Sequence, residues 1–253
     1  MSINLRSTNY PIDPNLEIWR YLSIDSILNS IVNKRLRFTQ LRVLGDTWEG
    51  AIGFATVKSR AILENSIEPL TPEAFNLLIE NLKLLQASNR AFNYVNCWTT
   101  NGPDEMLMWD AYAKHGSYCG ISTTVNDLKD SIVEEMAIAD IGKVTYSNHT
   151  EVSRDNMDFR DEIYRKRIPF KYENEIRFVI SREFDEVKKS ALLLDEPSHY
   201  YHEFDPNCFK ELVLHPYAPE MTEDYLSEIL IPFIPKLTIR RSSIAEQPVL
   251  KTI

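Results

Sequence analysis

Hydrophobic and polar residues alternate in several short stretches of the chain, which is the pattern of β-strands that bury one face. Residues 18–22 and Arg35–Gln40 are the first of these stretches, and between them apolar residues recur at helical spacing from Ile27 to Val32. Ser23 precedes that helical pattern at the position of an N-terminal cap. The beginning of the chain therefore predicts a strand, a helix and a second strand.

The same signals predict elements along the rest of the chain. Thr71 and Pro72 begin a helix that ends near Ser88, and the turn at 101–105 leads into a helix with Met106, Trp109 and Ala113 on one stripe. Further strands are predicted at 92–99, 117–123, 142–146, 172–180, 208–214 and 237–241, and further helices at 153–165 and 222–231. Strands outnumber helices without alternating with them, so we expect an α+β fold with a mixed or antiparallel β core flanked by helices.

Composition indicates a globular protein. The chain is 43% apolar and 26% charged, with seven glycines and no linker or repeat, and we expect residues 1–253 to form a single domain with a core from about 18 to about 243. No apolar run approaches the roughly 18 to 20 residues of a membrane span. Residues 1–10 are polar and lack a secretory pattern. These features predict a cytoplasmic protein that does not contact membranes.

The distribution of charge bears on partners. The net charge of −9 disfavours non-specific nucleic-acid binding, and with few histidines and no paired-Asp metal cluster it counts against a nuclease. Residues 160–182 nevertheless carry seven basic and four acidic side chains. This local excess of positive charge can meet a dinucleotide phosphate or an acidic partner, or be neutralised by neighbouring carboxylates in the fold.

Scattered cysteines and one histidine pair give little support for a metal site. Cys97, Cys119 and Cys208 have no CxxC spacing, which fits a reducing compartment and argues against a structural zinc. His199 and His202 are close in sequence but lack a convincing third ligand. We therefore assign no metal-binding residues.

The alternating stretch at 172–180 carries the most informative chemistry. A strand there places Glu173, Glu175 and Arg177 on one face, about 7 Å apart at two-residue steps. Two carboxylates arranged in this way can stabilise a positive charge that develops on a sugar. They can equally form a cross-strand ladder of salt bridges with no catalytic role.

Several motifs resemble the uncharacterised bacterial domain-of-unknown-function family 2971. They extend from about Trp19 to about Ser243, and the aromatic helix together with the Glu-x-Glu strand makes the resemblance fairly specific. The matching pieces are Trp19–Ser23, Arg35–Thr39, Gly45–Glu49, Cys97–Thr100, Met108–Ala113, Gly120–Ser122 and Lys171–Arg177. Gly45, Thr47 and Trp48 depart from the Asn-Asp-Pro-Phe-Glu motif of the family. This resemblance implies a fold group and no activity.

The order of three motifs also resembles mono-ADP-ribosyltransferases, which have an Arg or His on an early strand, a Ser/Thr-rich middle strand and a late catalytic Glu. Arg20, residues 97–100 and residues 173–175 follow that order, although a Ser-Thr-Ser triplet is lacking. The resemblance implies an ADP-ribosyltransferase-like fold that uses NAD as substrate. The implied function is mono-ADP-ribosyl transfer to an unknown macromolecular acceptor or NAD glycohydrolysis, in a toxin or phage-defence effector.

Under this resemblance, Glu175 opposes the cationic charge on the ribose and Glu173 orients or deprotonates the acceptor. Arg177 keeps Glu175 ionised. Arg177 is also assigned to the NAD-binding set. The other residues assigned to NAD binding are Arg20 on the pyrophosphate, Tyr21 and Arg37 as alternatives to it, and Trp109 and Tyr112 as stacking groups. Arg20 can instead be an ordinary surface arginine, and Trp109 and Tyr112 can be aromatic residues of the core. For the whole chain, the competing interpretation is a non-catalytic binding or sensor module that acts through a protein partner.

Overall fold

In the computed structural model, the described residues are 12–51, 71–113, 116–132, 140–148, 159–182 and 197–245. Residues 1–10, considered above for a secretory signal, and residues 153–158 of the predicted helix lie outside them. Within the described ranges, no helix combines the length and the apolar character needed to cross a bilayer.

The structure contains a nine-stranded sheet and a separate two-stranded ribbon, the latter made of β6 and β7. The strands are β1 (Glu17–Ser23), β2 (Arg35–Gln40), β3 (Asn93–Thr99), β4 (Tyr118–Thr124), β5 (Asp140–Lys143), β6 (Thr145–Ser147), β7 (Arg165–Arg167), β8 (Glu175–Ser181), β9 (His199–Glu203), β10 (Glu211–Leu214) and β11 (Thr238–Arg241). Among them only β6–β7 and β10–β11 pair in parallel. The α+β architecture with a mixed, mostly antiparallel sheet confirms the expected fold class.

Helices flank this sheet. They are α1 (Ile24–Val32), α2 (Pro72–Phe92), α3 (Met106–Tyr112), α4 (Val125–Ser131) and α5 (Thr222–Leu230). Ser23, Thr71 and Thr124 cap α1, α2 and α4, each accepting a backbone N–H from the residue three positions later at 3.2 to 3.3 Å. The predicted caps of the first two helices are therefore confirmed, although α2 continues four residues beyond Ser88.

The predicted strand at 172–180 is wrong at its beginning. Ile168–Glu173 forms a 3₁₀ helix, in which Pro169 lies at the start, where a missing N–H costs nothing. Asn174 then takes a left-handed conformation with φ of 42°, which asparagine tolerates better than most residues. As a result, Glu173 belongs to the 3₁₀ turn and only Glu175 and Arg177 share a strand face.

Other boundaries also differ from the predictions. The described part of the predicted helix at 153–165 is a 3₁₀ helix, Phe159–Tyr164, followed directly by β7. The predicted strand at 142–146 is divided between β5 and β6, and β10 begins only at Glu211. Strand β9 was not predicted, because the alternation in its sequence is weak and its pairing with β2 supplies the order.

Two different strands share one edge of β3. Its other edge pairs with β8 from Asn93 to Thr99. On the shared edge, β1 pairs at Thr99, whereas β2 pairs at Tyr94 and Val95. Residues 96–98 of β3 lie between these two pairings, and we call this stretch the seam.

Side-chain alternation gives the sheet two unlike faces. One face carries the main core, which includes Ile18, Phe38, Trp98 and Ile176. The other carries two smaller clusters, one around Trp109 and one around Tyr164. The register aligns Trp19, Thr99 and Glu175 across three neighbouring strands on this second face.

Candidate functional site

A cavity of about 540 Å³ opens at the seam. Residues of β1, β2, β3 and β8 line it, together with α3, the loop before Glu49 and the 3₁₀ turn before β8. Both carboxylates of the Glu-x-Glu motif and the early Arg20 face it. Cys97, Trp98 and Thr99 of the middle-strand motif line it as well. The fold thus brings to one cavity three motifs that are far apart in sequence.

Glu175 and Arg177 form a buried, two-point ion pair on β8. Arg177 Nε lies 2.7 Å from Glu175 Oε1, and Nη2 lies 3.0 Å from Oε2. Nη1 of the same guanidinium donates to the carbonyl of Ile163 at 2.5 Å. Because the Arg177 side chain is fully buried, this arrangement fixes the Glu175 carboxylate in one orientation.

Lys166 and Glu49 extend the ion pair into a cluster. Lys166 Nζ lies 2.5 Å from Glu173 Oε2, 3.3 Å from Glu49 Oε1 and 3.4 Å from Glu175 Oε2. The second oxygen of Glu49 accepts from Arg177 Nη2. Three carboxylates thus share two cations in a buried cluster with a net charge of −1 when all five groups are ionised.

The two cations hold Glu175 in its charged form. Burial alone would raise the pKa of Glu175, but Arg177 and Lys166 outweigh it and lower that pKa to about 2. Burial likewise opposes the charge on Lys166, yet Glu175 and Glu49 raise its pKa above the ordinary value. At neutral pH the site therefore contains a desolvated, ionised carboxylate at the cavity wall.

The pKa of Glu173 is shifted in the direction opposite to that of Glu175. Burial raises the pKa of Glu173, and the opposing effects of Lys166 and of a hydrogen bond from Tyr112 Oη to Glu173 Oε1 do not cancel that rise. The environments of the two carboxyl groups thus push their pKa values apart. Such a pair suits one group to charge stabilisation and the other to proton transfer.

Arg20 provides a cation that has no carboxylate partner among the described residues. Within the described ranges, its guanidinium makes no hydrogen bond or ion pair and lies 6.0 Å from the centre of the Trp98 ring. Burial lowers the pKa of Arg20 to about 10, so it stays charged at neutral pH. An unpaired guanidinium at a cavity wall is a binding group for a phosphate or carboxylate.

The remaining predicted ligands are placed differently. Tyr112 and Tyr21 line the cavity, but Tyr21 Oη donates to Gly102 O at 2.7 Å and its ring packs edge-on against Trp109. Trp109 is fully buried, does not line the cavity and donates Nε1 to Pro103 O at 2.7 Å. Arg37 is exposed on β2 and lies outside the cavity lining. The structure therefore does not bring Trp109 and Arg37 to the site.

The middle strand motif positions Glu173 through the backbone. Thr99 Oγ1 donates to the carbonyl of Glu173 at 2.5 Å, and Thr100 N donates to the carbonyl of Asn174 at 3.2 Å. The Asn101 side-chain amide donates to the carbonyl of Tyr172. The end of β3 therefore anchors the 3₁₀ turn that carries Glu173 beside β8.

Glu49 reaches the cluster from a loop that Asp46 organises. Arg167 binds Asp46 through two points, with Nη2–Oδ1 at 2.9 Å and Nε–Oδ2 at 3.1 Å. Asp46 also accepts the backbone N–H of Trp48 at 3.1 Å. Gly50 follows with φ of 70°, where a side chain would be strained.

The sequence interpretation did not assign two residues of the cluster, Glu49 and Lys166, to the site. Glu49 is 128 positions from its partner Arg177, so no local pattern connects them. Lys166 belongs to the basic stretch at 160–182, and that local excess of cations was the one available signal. Buried carboxylates neutralise Lys166, which agrees with the expectation that neighbouring carboxylates in the fold neutralise the local positive charge.

The described residues contain no group of three or more metal-ligating side chains arranged to hold an ion. His199 and His202 lie on β9, and His202 is buried against the ring of Phe38.

Comparisons with protein families, curated proteins and solved structures bear on the identity of the chain. None of them gave a match. The resemblances to family 2971 and to mono-ADP-ribosyltransferases therefore stay hypotheses that rest on the residues quoted for them.

Proposed function

We propose that this protein cleaves the nicotinamide–ribose bond of NAD, transferring ADP-ribose to a macromolecular acceptor or to water. One observation carries the proposal: the ionised carboxylate of Glu175 lines the same cavity as Arg20, whose guanidinium has no ion-pair partner in the part of the chain that the structure describes. A ligand that fits both has an anionic group and a centre that becomes positive during reaction. NAD has both, in its diphosphate and in its ribose C1′.

Glu175 acts electrostatically in this proposal. When the C1′–N bond breaks, its electron pair moves to the nicotinamide nitrogen and the ribose gains positive charge. A fixed carboxylate that opposes this charge in a dry site contributes about 3 to 4 kcal/mol to the lowering of the barrier. Arg177 and Lys166 keep the carboxylate ionised and correctly oriented.

Glu173 is the proton-transfer group in the proposal. Its pKa is raised by burial, which moves a carboxyl group toward the range useful for accepting a proton near neutral pH. In its ionised form it takes the proton of the attacking acceptor or water. Tyr112 holds one carboxyl oxygen and Lys166 the other.

Strand order supports the finer, ADP-ribosyltransferase-like interpretation of the fold. Arg20 lies on β1, residues 97–99 on β3 and Glu175 on β8, and these three strands are neighbours. Arg20 alternates to the opposite side of the sheet from Trp19 and Glu175, and both charged residues line the cavity at the seam. We propose that the diphosphate binds on the Arg20 side and the ribose on the Glu175 side.

Nicotinamide release from NAD tests the proposal. We expect purified protein with a cell lysate as acceptor to release nicotinamide, and Glu175→Gln to reduce the rate by about a hundredfold or more. Glu17→Gln is the matched control, because Glu17 is an exposed carboxylate at the start of β1, and this variant should keep the wild-type rate. Thermal unfolding establishes that both variants are folded. A folded Glu175→Gln protein with full turnover contradicts the proposal.

A non-catalytic binding or sensor module is the second candidate. The observation in its favour is that Arg177 and Lys166 occupy both oxygens of Glu175, as a purely structural cluster would. This candidate predicts that neither NAD nor ADP-ribose raises the thermal midpoint. A rise that Arg20→Met abolishes would favour the NAD site instead.

A further inference from the structure

The surface of α5 combines an apolar row with an acidic row. Residues four apart lie on one side of a helix, so each row is continuous. The apolar row consists of residues exposed by 61%, 56%, 44% and 43%, namely Met221, Tyr225, Ile229 and, in the turn after the helix, Phe233. Leu226 and Leu230 follow Tyr225 and Ile229 by one position, about 100° further around the helix, and form the buried side that attaches α5 to the main core.

The acidic row runs beside the apolar one. Its members Glu220, Asp224 and Glu228 precede the apolar residues by one position and are all exposed. Residues 217–233 contain four acidic and no basic side chains. From β11, Arg241 reaches this segment, but its guanidinium is bound to the carbonyls of Ala218 and Pro219.

We propose that this surface of α5 binds a protein segment that is both apolar and basic, an amphipathic helix with Lys or Arg beside its apolar row. Exposed apolar groups of this extent on a charged surface mark interaction sites, and a helical partner that matches both rows satisfies them together. The choice of partner follows from charge complementarity. The proposal is independent of NAD cleavage.

The same charges disfavour two other occupants. A second copy of this chain would bring one acidic row against another, and like charges at close range cost free energy. Anionic lipid headgroups would be repelled for the same reason, since peripheral membrane surfaces attract basic segments. A basic protein segment is the occupant that the surface favours.

Titration with a designed peptide tests the proposal. The probe is a synthetic helical peptide with leucine on one face and lysine on the other, and the control peptide carries glutamate in place of lysine. We expect wild-type protein to bind only the lysine peptide. Ile229→Ser and, separately, Glu228→Lys should each weaken that binding by about tenfold.

Matched variants separate the surface from bulk properties. Val32→Ser removes an equally exposed apolar side chain at the end of α1, and Glu17→Lys makes the same change in net charge on β1. Both should bind the lysine peptide as the wild type does, and thermal unfolding establishes that all four variants are folded.

Three results would overturn the proposal. The first is that the lysine peptide fails to bind, or binds the α5 variants as tightly as the controls. The second is a wild-type dimer in sedimentation that Ile229→Ser dissociates, which would assign the surface to a second copy. The third is binding of wild type, but not Ile229→Ser, to vesicles of anionic lipid.

Discussion

The neighbours of Glu175, and not its exposure to solvent, determine whether its carboxyl group is ionised. A carboxyl group without compensating cations would become neutral at this depth, whereas two cations within hydrogen-bonding distance keep it charged. The cost of burying one partner alone is large, because removal of the other leaves an uncompensated charge. Each residue of the cluster therefore contributes to folding as well as to any chemistry.

Acid should destabilise the protein through Glu175. Its pKa falls from 4.5 to about 2 on folding, so its stabilising contribution is present above pH 4.5 and is lost as the pH falls toward 2. We expect the free energy of unfolding to drop by roughly 3 kcal/mol across this window. Denaturant titrations at successive pH values give the free energy of unfolding as a function of pH. This free energy should depend less steeply on pH for Glu175→Gln, whereas Glu17→Gln should show the wild-type dependence.

Glu173 contributes with the opposite sign, because its raised pKa means that the folded state retains this proton to higher pH. Its contribution to stability therefore decreases as the pH rises above the ordinary carboxyl value. For Glu175, the contradicting result is a free energy of unfolding that decreases with acid equally in wild type and Glu175→Gln. That result would show that Glu175 is not held in its ionised form by the fold.

At the scale of elements, the left-handed turn at Asn174, between the 3₁₀ helix and β8, determines where Glu173 lies. A continuous strand would separate the two glutamates by a two-residue step, whereas the left-handed turn places both within reach of one ammonium group. Asn174 Nδ2 also donates to Asn101 Oδ1 at 2.8 Å. The backbone conformation of Asn174 therefore determines the relative positions of Glu173 and Glu175 in the site.

Substitutions at Asn174 should separate backbone conformation from side-chain bonding. Asn174→Val places a β-branched residue at positive φ, and we expect a loss of about 1 to 3 kcal/mol in the free energy of unfolding and a lower rate of nicotinamide release. Asn174→Gly keeps the conformation, loses only the bond to Asn101 and should lie close to the wild type. Equal stability of the two variants would show that positive φ is not required there.

The elements were more predictable from sequence than the site. Strands β1 to β4 and helices α1, α3 and α5 have local signals of alternation, spacing or capping, and these agree with the structure within about two residues. The 3₁₀ turn before β8 has no such signal, because its order comes from hydrogen bonds to Thr99 and Asn101. The contribution of Glu49 depends on a contact across most of the chain, which a periodicity cannot reveal.

At the scale of the whole molecule, β3 joins two parts of the sheet. Strands β1, β4, β10 and β11 extend from its shared edge at one end, and β2 with β9 extends from the same edge at the other. Both parts meet at the cavity. A ligand in the cavity would contact both and restrict their relative motion.

Hydrogen exchange should reveal this restriction. With NAD bound to the Glu175→Gln variant, which should not consume it, we expect slower amide exchange in β1, β2 and β3 near the seam and unchanged exchange in β11 at the far edge. Arg20→Met in the same background should abolish the protection. Protection confined to one part of the sheet would contradict a ligand position across the seam.

The seam also limits how much of a ligand the sheet can admit. Val95 and Thr99, the paired residues that border it, are four strand positions apart, a span of roughly 13 Å. An extended dinucleotide is longer than this opening, so only part of it can enter while the rest lies along the outer surface. The footprint of such a ligand would therefore be divided, with the portion that reacts enclosed by the sheet and its far end left open to whatever molecule approaches from solvent.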